Sequence, residues 1–177
     1  AERATVDTWL SDSDVAILYG RGDYPGFQVD KLFDLSVTPI CSPRLLTDPE
    51  HPLLRPADLQ HHLLLHDDTG DLYDGVSFWE VWLKAAGVQD VDLSHGAHFS
   101  HAVLAFEAAA EGHGVVATMP LLAESDLHAV RLVTPFALRA PLQSSYYLVS
   151  DAARTRPDVA TFRKWLLEET AKEKAAA

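Results

Sequence analysis

The stretch Asp14-Val-Ala-Ile-Leu-Tyr-Gly-Arg-Gly-Asp-Tyr-Pro-Gly26 decides the fold class of this chain. Its apolar run, Val15 to Leu18, has the length and bulk of a buried strand. Three glycines and a proline follow, so the strand feeds a loop whose backbone can lie close to a ligand. Open α/β sheets bind small molecules at strand ends of this kind. The stretch therefore predicts an α/β fold with a ligand-binding loop after its first strand.

Composition indicates an ordinary globular protein. Of its 177 residues, 47% are apolar and 23% are charged. A chain of this length can form one domain, or two small lobes, with a hydrophobic core. A single cysteine excludes an internal disulfide, and no stretch is apolar enough to span a bilayer. The N-terminus lacks a basic-then-apolar signal pattern. We expect a soluble, cytoplasmic protein without a membrane partner.

The charge of the chain argues against direct contact with nucleic acid. Fourteen basic residues stand against 26 acidic ones, which gives a net charge of −12, and no basic run occurs. A surface that binds phosphates needs clustered lysines and arginines. If the parent protein binds DNA, we expect the DNA-reading element to lie elsewhere.

Strand and helix patterns alternate along the chain, which predicts α/β architecture. Ser77 and Glu80 have capping-box spacing and Gly87 closes the predicted helix. Further helices are expected at 4–11, at 100–111 and from Pro157 onward. The second would stack Val103, Leu104, Ala108 and Ala109, and the third would carry Val159, Phe162, Trp165 and Leu166 on its apolar face. Strands are expected at 35–40, 63–65, 114–118, 131–134 and 146–149, and a polar loop at 67–75.

The opening stretch resembles the effector-binding domain of LysR-type transcriptional regulators, where a DVAI strand precedes a YG-x-G-x-(W/Y)-PG loop. Within that family it is most similar to the branch of glycine-cleavage-system activators, with the β-lactamase-regulator branch beside it. Further segments occur in the order expected of the family: Leu32-Phe33-Asp34, residues 39–43, Leu64-Leu65-His66-Asp67, Trp79 and Trp82, residues 99–101, 108–116, 131–136 and 146–149.

The resemblance implies a two-lobed, periplasmic-binding-protein-like (type II) effector domain with a ligand cleft between the lobes. Lobe one would comprise residues 1–38 and 148–177, and lobe two residues 39–147. The crossover strands would lie near Thr38 to Ile40 and Tyr147 to Val149. The family's helix-turn-helix, its linker helix and the opening strands of lobe one have no counterpart in this chain. We expect sequence outside this chain or a partner to supply those strands.

The implied function is ligand sensing that controls DNA binding and transcription by the full-length protein. The implied partners are a small-molecule effector and a second copy, in a dimer or higher oligomer. The glycine branch suggests an amino acid or a small polar anion as effector, whereas the related branch suggests a larger cell-wall fragment. Two alternatives stay open, a solute-binding protein of the same fold and a small α/β enzyme.

Candidate effector-binding residues fall near the ends of predicted strands. Tyr19, Gly20 and Arg21 follow the first strand, where Arg21 could form a bidentate pair with a carboxylate. The alternatives are a core role for Tyr19 and a surface ion pair for Arg21. By the family's topology, Thr118 and Tyr147 would also lie near the cleft.

Ser100 and His101 are predicted where a strand meets a helix, and exposed backbone N–H groups at such a helix start favour an anion. The alternative role of Ser100 is that of helix N-cap, which is compatible with ligand contact, and His101 would be the first helical residue. The alternative for His101 is a solvated imidazole. Adjacent helical residues do not face each other, so this pair does not indicate nucleophilic catalysis.

Metal, cofactor and catalytic signatures are weak. His95, His98 and His101 are spaced by three, but on a strand or loop such side chains would not converge on one ion. No nucleophile elbow, P-loop or dinucleotide fingerprint occurs, so we expect neither an enzyme nor a cofactor. Cys41 is predicted to be a buried structural thiol.

Overall fold

The computed structural model describes Leu10 and residues 13–68, 75–151 and 156–176. The chain divides into two compact units. Unit one contains Ala1–Leu35 and Gln143–Ala177, and unit two contains Ser36–Leu142. Most of the helix predicted at 4–11 and residues 69–74 of the predicted polar loop lie outside the described residues.

Eight strands follow one another along the described residues: β1 (Val15–Gly20), β2 (Gln28–Lys31), β3 (Ser36–Cys41), β4 (Leu64–Asp67), β5 (Ala97–Phe99), β6 (Val115–Thr118), β7 (Ala140–Pro141) and β8 (Ser145–Ser150). Four α-helices accompany them: α1 (Phe78–Ala86), α2 (Ala102–Ala110), α3 (Glu124–His128) and α4 (Pro157–Ala176). Short 3-10 helices occupy Pro43–Thr47, Pro56–His61 and Pro120–Ala123.

Unit one is built on a three-stranded antiparallel sheet with the order β1-β8-β2. Ser150 pairs with Val15 on one side and with Gln28 on the other. Leu10, Tyr24 and Val149 form its buried cluster. Helix α4 buries Arg163, which donates to Ser150 Oγ at 2.7 Å and forms an ion pair with Asp30.

Unit two is built on a five-stranded sheet with the order β5-β4-β6-β3-β7. Strand β4 runs parallel to β5 and β6, whereas β3 runs antiparallel to β6 and β7. Because β4, β5 and β6 are parallel, their carboxyl ends meet at one edge of the sheet. The candidate residues Ser100 and Thr118 lie at this edge of the sheet.

The core of unit two packs helices against this sheet. Its cluster contains Ile40, Leu65, Ala105, Phe106, Ala109, Val116, Ala123 and Leu132. On α1, Trp79 and Trp82 are buried, and Trp79 Nε1 donates to the Leu65 carbonyl at 3.0 Å. The predicted capping box of α1 is confirmed, since Ser77 accepts from the Trp79 N–H while Glu80 accepts from the Ser77 N–H.

Cys41 is fully buried in β3, as predicted. Burial raises the pKa of its thiol to about 12, so the reactive thiolate is not formed near neutral pH. Among the described helices, none is both long and apolar enough to cross a membrane.

Three predicted packing details are wrong. Helix α2 begins at Ala102, and its buried face holds Ala105, Phe106 and Ala109, which leaves Val103 and Leu104 exposed. Among the residues of α4 up to Lys172, whose burial the structure describes, Arg163 and Thr170 are buried, whereas Phe162 and Trp165 are exposed. The strand predicted at 131–134 is reduced to one isolated bridge between Val133 and Cys41.

The division between the units falls at other residues than the sequence suggested. The prediction ended lobe two at Tyr147, but Ser145 and Tyr147 already pair with Gly20 and Leu18 in the sheet of unit one. On the N-terminal side, Val37 pairs with Ala140 inside unit two. Strands β2 and β7 were not predicted, and they are short, at four and two residues. Strand β5, of three residues, is the strand expected before Ser100.

Val130 is strained at the turn after α3. It adopts a left-handed φ of 56°, which a β-branched side chain rarely does, and its side chain is exposed. A left-handed backbone conformation destabilises an L-residue by about 1–2 kcal/mol. Glycine avoids this cost but lowers stability by about 0.4–1 kcal/mol, because it increases the entropy of the unfolded chain. We expect Val130→Gly to stabilise the fold by up to about 1 kcal/mol in urea denaturation.

The neighbouring Ala129 provides the control, because it is exposed with an ordinary φ of −76°. Ala129→Gly should destabilise the fold by roughly 0.5–1 kcal/mol. Equal destabilisation by both substitutions would contradict the strain at Val130.

Candidate functional site

The glycine loop of unit one, residues 20–26, leaves the end of β1. Its last part is a type II β-turn, since the Phe27 N–H donates to the Tyr24 carbonyl at 3.3 Å and Gly26 has a φ of 89°. Pro25 occupies the first central position of this turn, which its fixed φ suits. The Tyr24 N–H donates to the Gly22 carbonyl at 3.2 Å. The loop is therefore an ordered structure.

Two tyrosines pack directly on the glycines of this loop. The hydroxyl oxygen of Tyr24 lies 2.7 Å from the point where a Cβ on Gly20 would stand. At Gly22, where φ is 79°, a Cβ would stand 2.5 Å from Cε1 of Tyr147. The two tyrosine rings meet edge to face with centroids 6.3 Å apart. A Cβ at either position would force the tyrosine side chain to move, and at Gly22 the positive φ also favours glycine.

The structure separates the predicted residues of unit one into two groups. Leu18 is paired with Tyr147, and Tyr19 with Tyr146, in the antiparallel ladder. Paired residues share a face and successive residues alternate, so Tyr19 and Tyr147 lie on opposite faces of the sheet. Tyr147 contacts the glycine loop, whereas the ring of Tyr19 packs at a tilt against Tyr146, with ring centroids 5.2 Å apart. The side chain of Arg21, between the two packed glycines, is exposed.

In unit two, Ser100 directly follows β5 at the edge where the three parallel strands end. The N-cap of α2 is His101, so the predictions of Ser100 as N-cap and of His101 as first helical residue are wrong. Because both residues precede the helix, they can face each other, and Ser100 Oγ lies 3.0 Å from His101 Nδ1. Both side chains are exposed at the start of α2.

Thr118, the last residue of β6, is fully buried at the same edge. Its hydroxyl donates to the carboxylate of Asp67 at 3.5 Å. Asp67 ends β4 and is only 5% exposed. Sequence reasoning missed Asp67, although the signal was available: it ends a buried strand as Thr118 does.

The histidines near this edge pair with separate partners. His98 Nδ1 lies 2.9 Å from Asp68, and its ring stacks on His66 at 4.3 Å. His95 Nδ1 lies 2.7 Å from Asp92, and hydrogen bonds from Ser94 and then His95 lower the pKa of the Asp92 carboxyl to about 2. No cluster of three His, Cys, Asp or Glu side chains placed to hold a metal occurs in the described part of the chain.

Comparisons with known proteins agree along most of the chain. The family model "LysR substrate binding domain" matches residues 4–171. The glycine cleavage system transcriptional activator of Escherichia coli K12 is 38% identical over 168 residues, which are 94% of this chain and 53% of that protein. The transcriptional activator AmpR of Pseudomonas aeruginosa is 30% identical over 170 residues, or 95% of this chain and 54% of that protein.

Solved structures show the same fold. The effector domain of the transcriptional regulator AmpR of Pseudomonas aeruginosa superposes with a TM-score of 0.75 at 28% identity, covering 99% of this chain and 81% of that one. The AmpR effector-binding domain of Citrobacter freundii gives 0.72 at 26% identity, covering 97% and 81%. The chain spans about half the length of the curated relatives it matches.

The contact between Gly22 and Tyr147 predicts an unusually costly alanine substitution. Gly22→Ala adds the left-handed cost of about 1 kcal/mol and a clash of about 1–3 kcal/mol with the ring. The control is Gly87→Ala, because Gly87 has a φ of 68° with open space around it. Denaturation should show a loss of about 2–4 kcal/mol for the first variant and about 1 kcal/mol for the second.

A Tyr147→Ala background should remove the excess cost of Gly22→Ala, which a double-mutant cycle measures. If Gly22→Ala and Gly87→Ala lower the free energy of unfolding equally in the unaltered protein, the ring of Tyr147 does not pack tightly against Gly22.

Proposed function

Because the chain belongs to the LysR substrate-binding domain family, we propose that it is the ligand-sensing regulatory domain of a bacterial transcriptional regulator. The observation that carries this proposal is the match of residues 4–171 to the family model. The full-length protein binds a small effector through this domain and binds DNA through a separate N-terminal helix-turn-helix.

The charge of the chain supports this division of labour. Its net charge of −12 opposes contact with phosphates. The matched relatives are about twice as long as the chain and are transcriptional activators, so their DNA-reading element has room outside the matched region. The relatives are regulators rather than enzymes, and we assign this domain no catalytic activity. We place the regulator in the cytoplasm, where its DNA target lies.

Effector contacts are proposed on two surfaces, one on each unit. In unit one the surface is the glycine loop with Arg21 and Tyr147, and Tyr19 and Gly20 contribute at the end of β1. In unit two it is the sheet edge with Ser100, His101 and Thr118. The exposed guanidinium of Arg21 and the exposed Ser100–His101 pair suit a polar or anionic ligand.

Thr118 is a proposed contact that lies below the surface of unit two. Its hydroxyl is directed to Asp67 and its side chain is fully buried, so it meets a ligand only if this pair rearranges. Tyr147 is half-buried, and one part of its ring is occupied by Gly22. The exposed residues Arg21, Ser100 and His101 are therefore the contacts that we rank first.

The effector class follows from the relatives. The name of the Escherichia coli activator refers to glycine cleavage, which makes glycine the first small molecule to test. A larger ligand, the other class that the family resemblance implies, is the second candidate. Self-association as a dimer is part of the proposal, and sedimentation of the full-length protein tests it.

Ser100→Ala in the full-length regulator tests the site. Loss of one hydrogen bond to the effector costs about 1.4 kcal/mol, a roughly tenfold weaker affinity for glycine by calorimetry. The melting temperature should not change, because Ser100 is exposed and is not the N-cap of α2.

The matched control is Ser94→Ala, which removes another exposed serine hydroxyl that bonds a neighbouring histidine. It should leave both affinity and reporter transcription unchanged. Equal glycine affinity in the Ser100→Ala variant and the unaltered protein would remove Ser100 from the site. An absence of binding to the unaltered protein would exclude glycine as effector.

A further inference from the structure

Tyr24 connects the glycine loop to the interior of unit one. It is only 6% exposed and belongs to the buried cluster with Leu10 and Val149. Burial, followed by the neighbouring Tyr147, raises the pKa of its hydroxyl. At the same time that hydroxyl lies against the backbone of Gly20. One side chain thus touches both the core and the loop.

The loop segment Gly20-Arg21-Gly22 is held at both of its glycines. Tyr24 covers Gly20, Tyr147 covers Gly22, and the two rings contact each other edge to face. Three glycines in seven residues would otherwise give this loop wide conformational freedom. The tyrosines remove that freedom at the two positions that flank Arg21.

Arg21 is the one residue of this segment with a functional side chain. Its guanidinium is exposed, and no described residue forms an ion pair with it. A long side chain binds a carboxylate well only if its backbone is fixed beforehand, because ordering it on binding costs affinity. The two tyrosines supply that fixed backbone.

We propose that Tyr24 is a positioning residue, which holds Gly20-Arg21-Gly22 against Tyr147 so that Arg21 can bind a carboxylate group of the effector. The proposal rests on the proposed function and adds to it a role for a residue that does not touch the ligand. It also states the chemistry of the group recognised in unit one, a carboxylate.

The test compares Tyr24→Phe with Tyr146→Phe in the full-length protein. The first removes the hydroxyl that covers Gly20 but keeps the ring in the core. The second makes the same chemical change on the opposite face of the sheet, where Tyr146 contacts Tyr19 and Phe33. Amide hydrogen exchange is measured for peptides covering residues 19–23 and 145–150.

Tyr24→Phe should raise exchange in 19–23 by roughly tenfold and leave 145–150 unchanged. Tyr146→Phe should leave 19–23 unchanged. A purely structural role for Tyr24 predicts instead that both segments of the Tyr24→Phe variant exchange faster together, or that neither changes, and either result overturns the proposal. This measurement requires no ligand, so its result does not depend on whether the proposed function is correct.

Glycine affinity provides the second arm. Arg21→Gln should weaken glycine binding about tenfold in the unaltered protein and less than twofold when combined with Tyr24→Phe. Equal losses in both backgrounds would overturn the coupling between the two residues while leaving the effector domain itself supported. If the unaltered protein does not bind glycine, that effector is excluded, and the exchange arm alone decides the role of Tyr24.

Discussion

Unit one depends on the antiparallel pairing of β8 with both β1 and β2. Ser150 meets Val15 on one side and Gln28 on the other, so one strand joins segments far apart in the chain. The same residue receives a hydrogen bond from the buried Arg163 of α4, whose other partner is Asp30 on the neighbouring strand. A buried guanidinium without these partners would be strongly destabilising, so the pairing also fixes where α4 packs. It further sets the register that places Tyr147 opposite Leu18, with its ring against Gly22.

The sheet edge of unit two, where we propose effector contacts, is formed in a different way. Three short parallel strands end together, and each contributes one residue at or next to its end: Asp67, Ser100 and Thr118. Parallel pairing makes this convergence automatic, since the direction of every strand is the same. At this edge Asp67 and Thr118 are buried and hydrogen-bonded to each other, whereas Ser100 and His101 are exposed. Rigid strand ends of this kind suit ligand recognition better than a free loop does.

Sequence reasoning succeeded where local signals are strong and failed where distant contacts decide. The strand at Val15, the capping box at Ser77 and the buried Cys41 were predicted because apolar runs and caps act over a few residues. Strand β2 carries Asp30 and Lys31 and has no apolar run, and only its pairing with β8 makes it a strand. The exposed side of α4 was misjudged because Arg163, the residue it buries, looks like a surface residue by composition. The candidate residues were proposed from the ends of predicted strands. Asp67 was missed although it too ends a buried strand, and the contact of Tyr24 with Gly20 has no sequence signature.

The central claim is that this domain senses a small effector through the glycine loop and the edge of the parallel strands. Amide hydrogen exchange of the full-length regulator, with and without saturating glycine, tests it most directly. The account predicts that the ligand slows exchange in residues 19–23 and 99–103 and leaves the surface turn at residues 50–61 unchanged. Protection confined to residues 50–61, or spread evenly over both units, would contradict it.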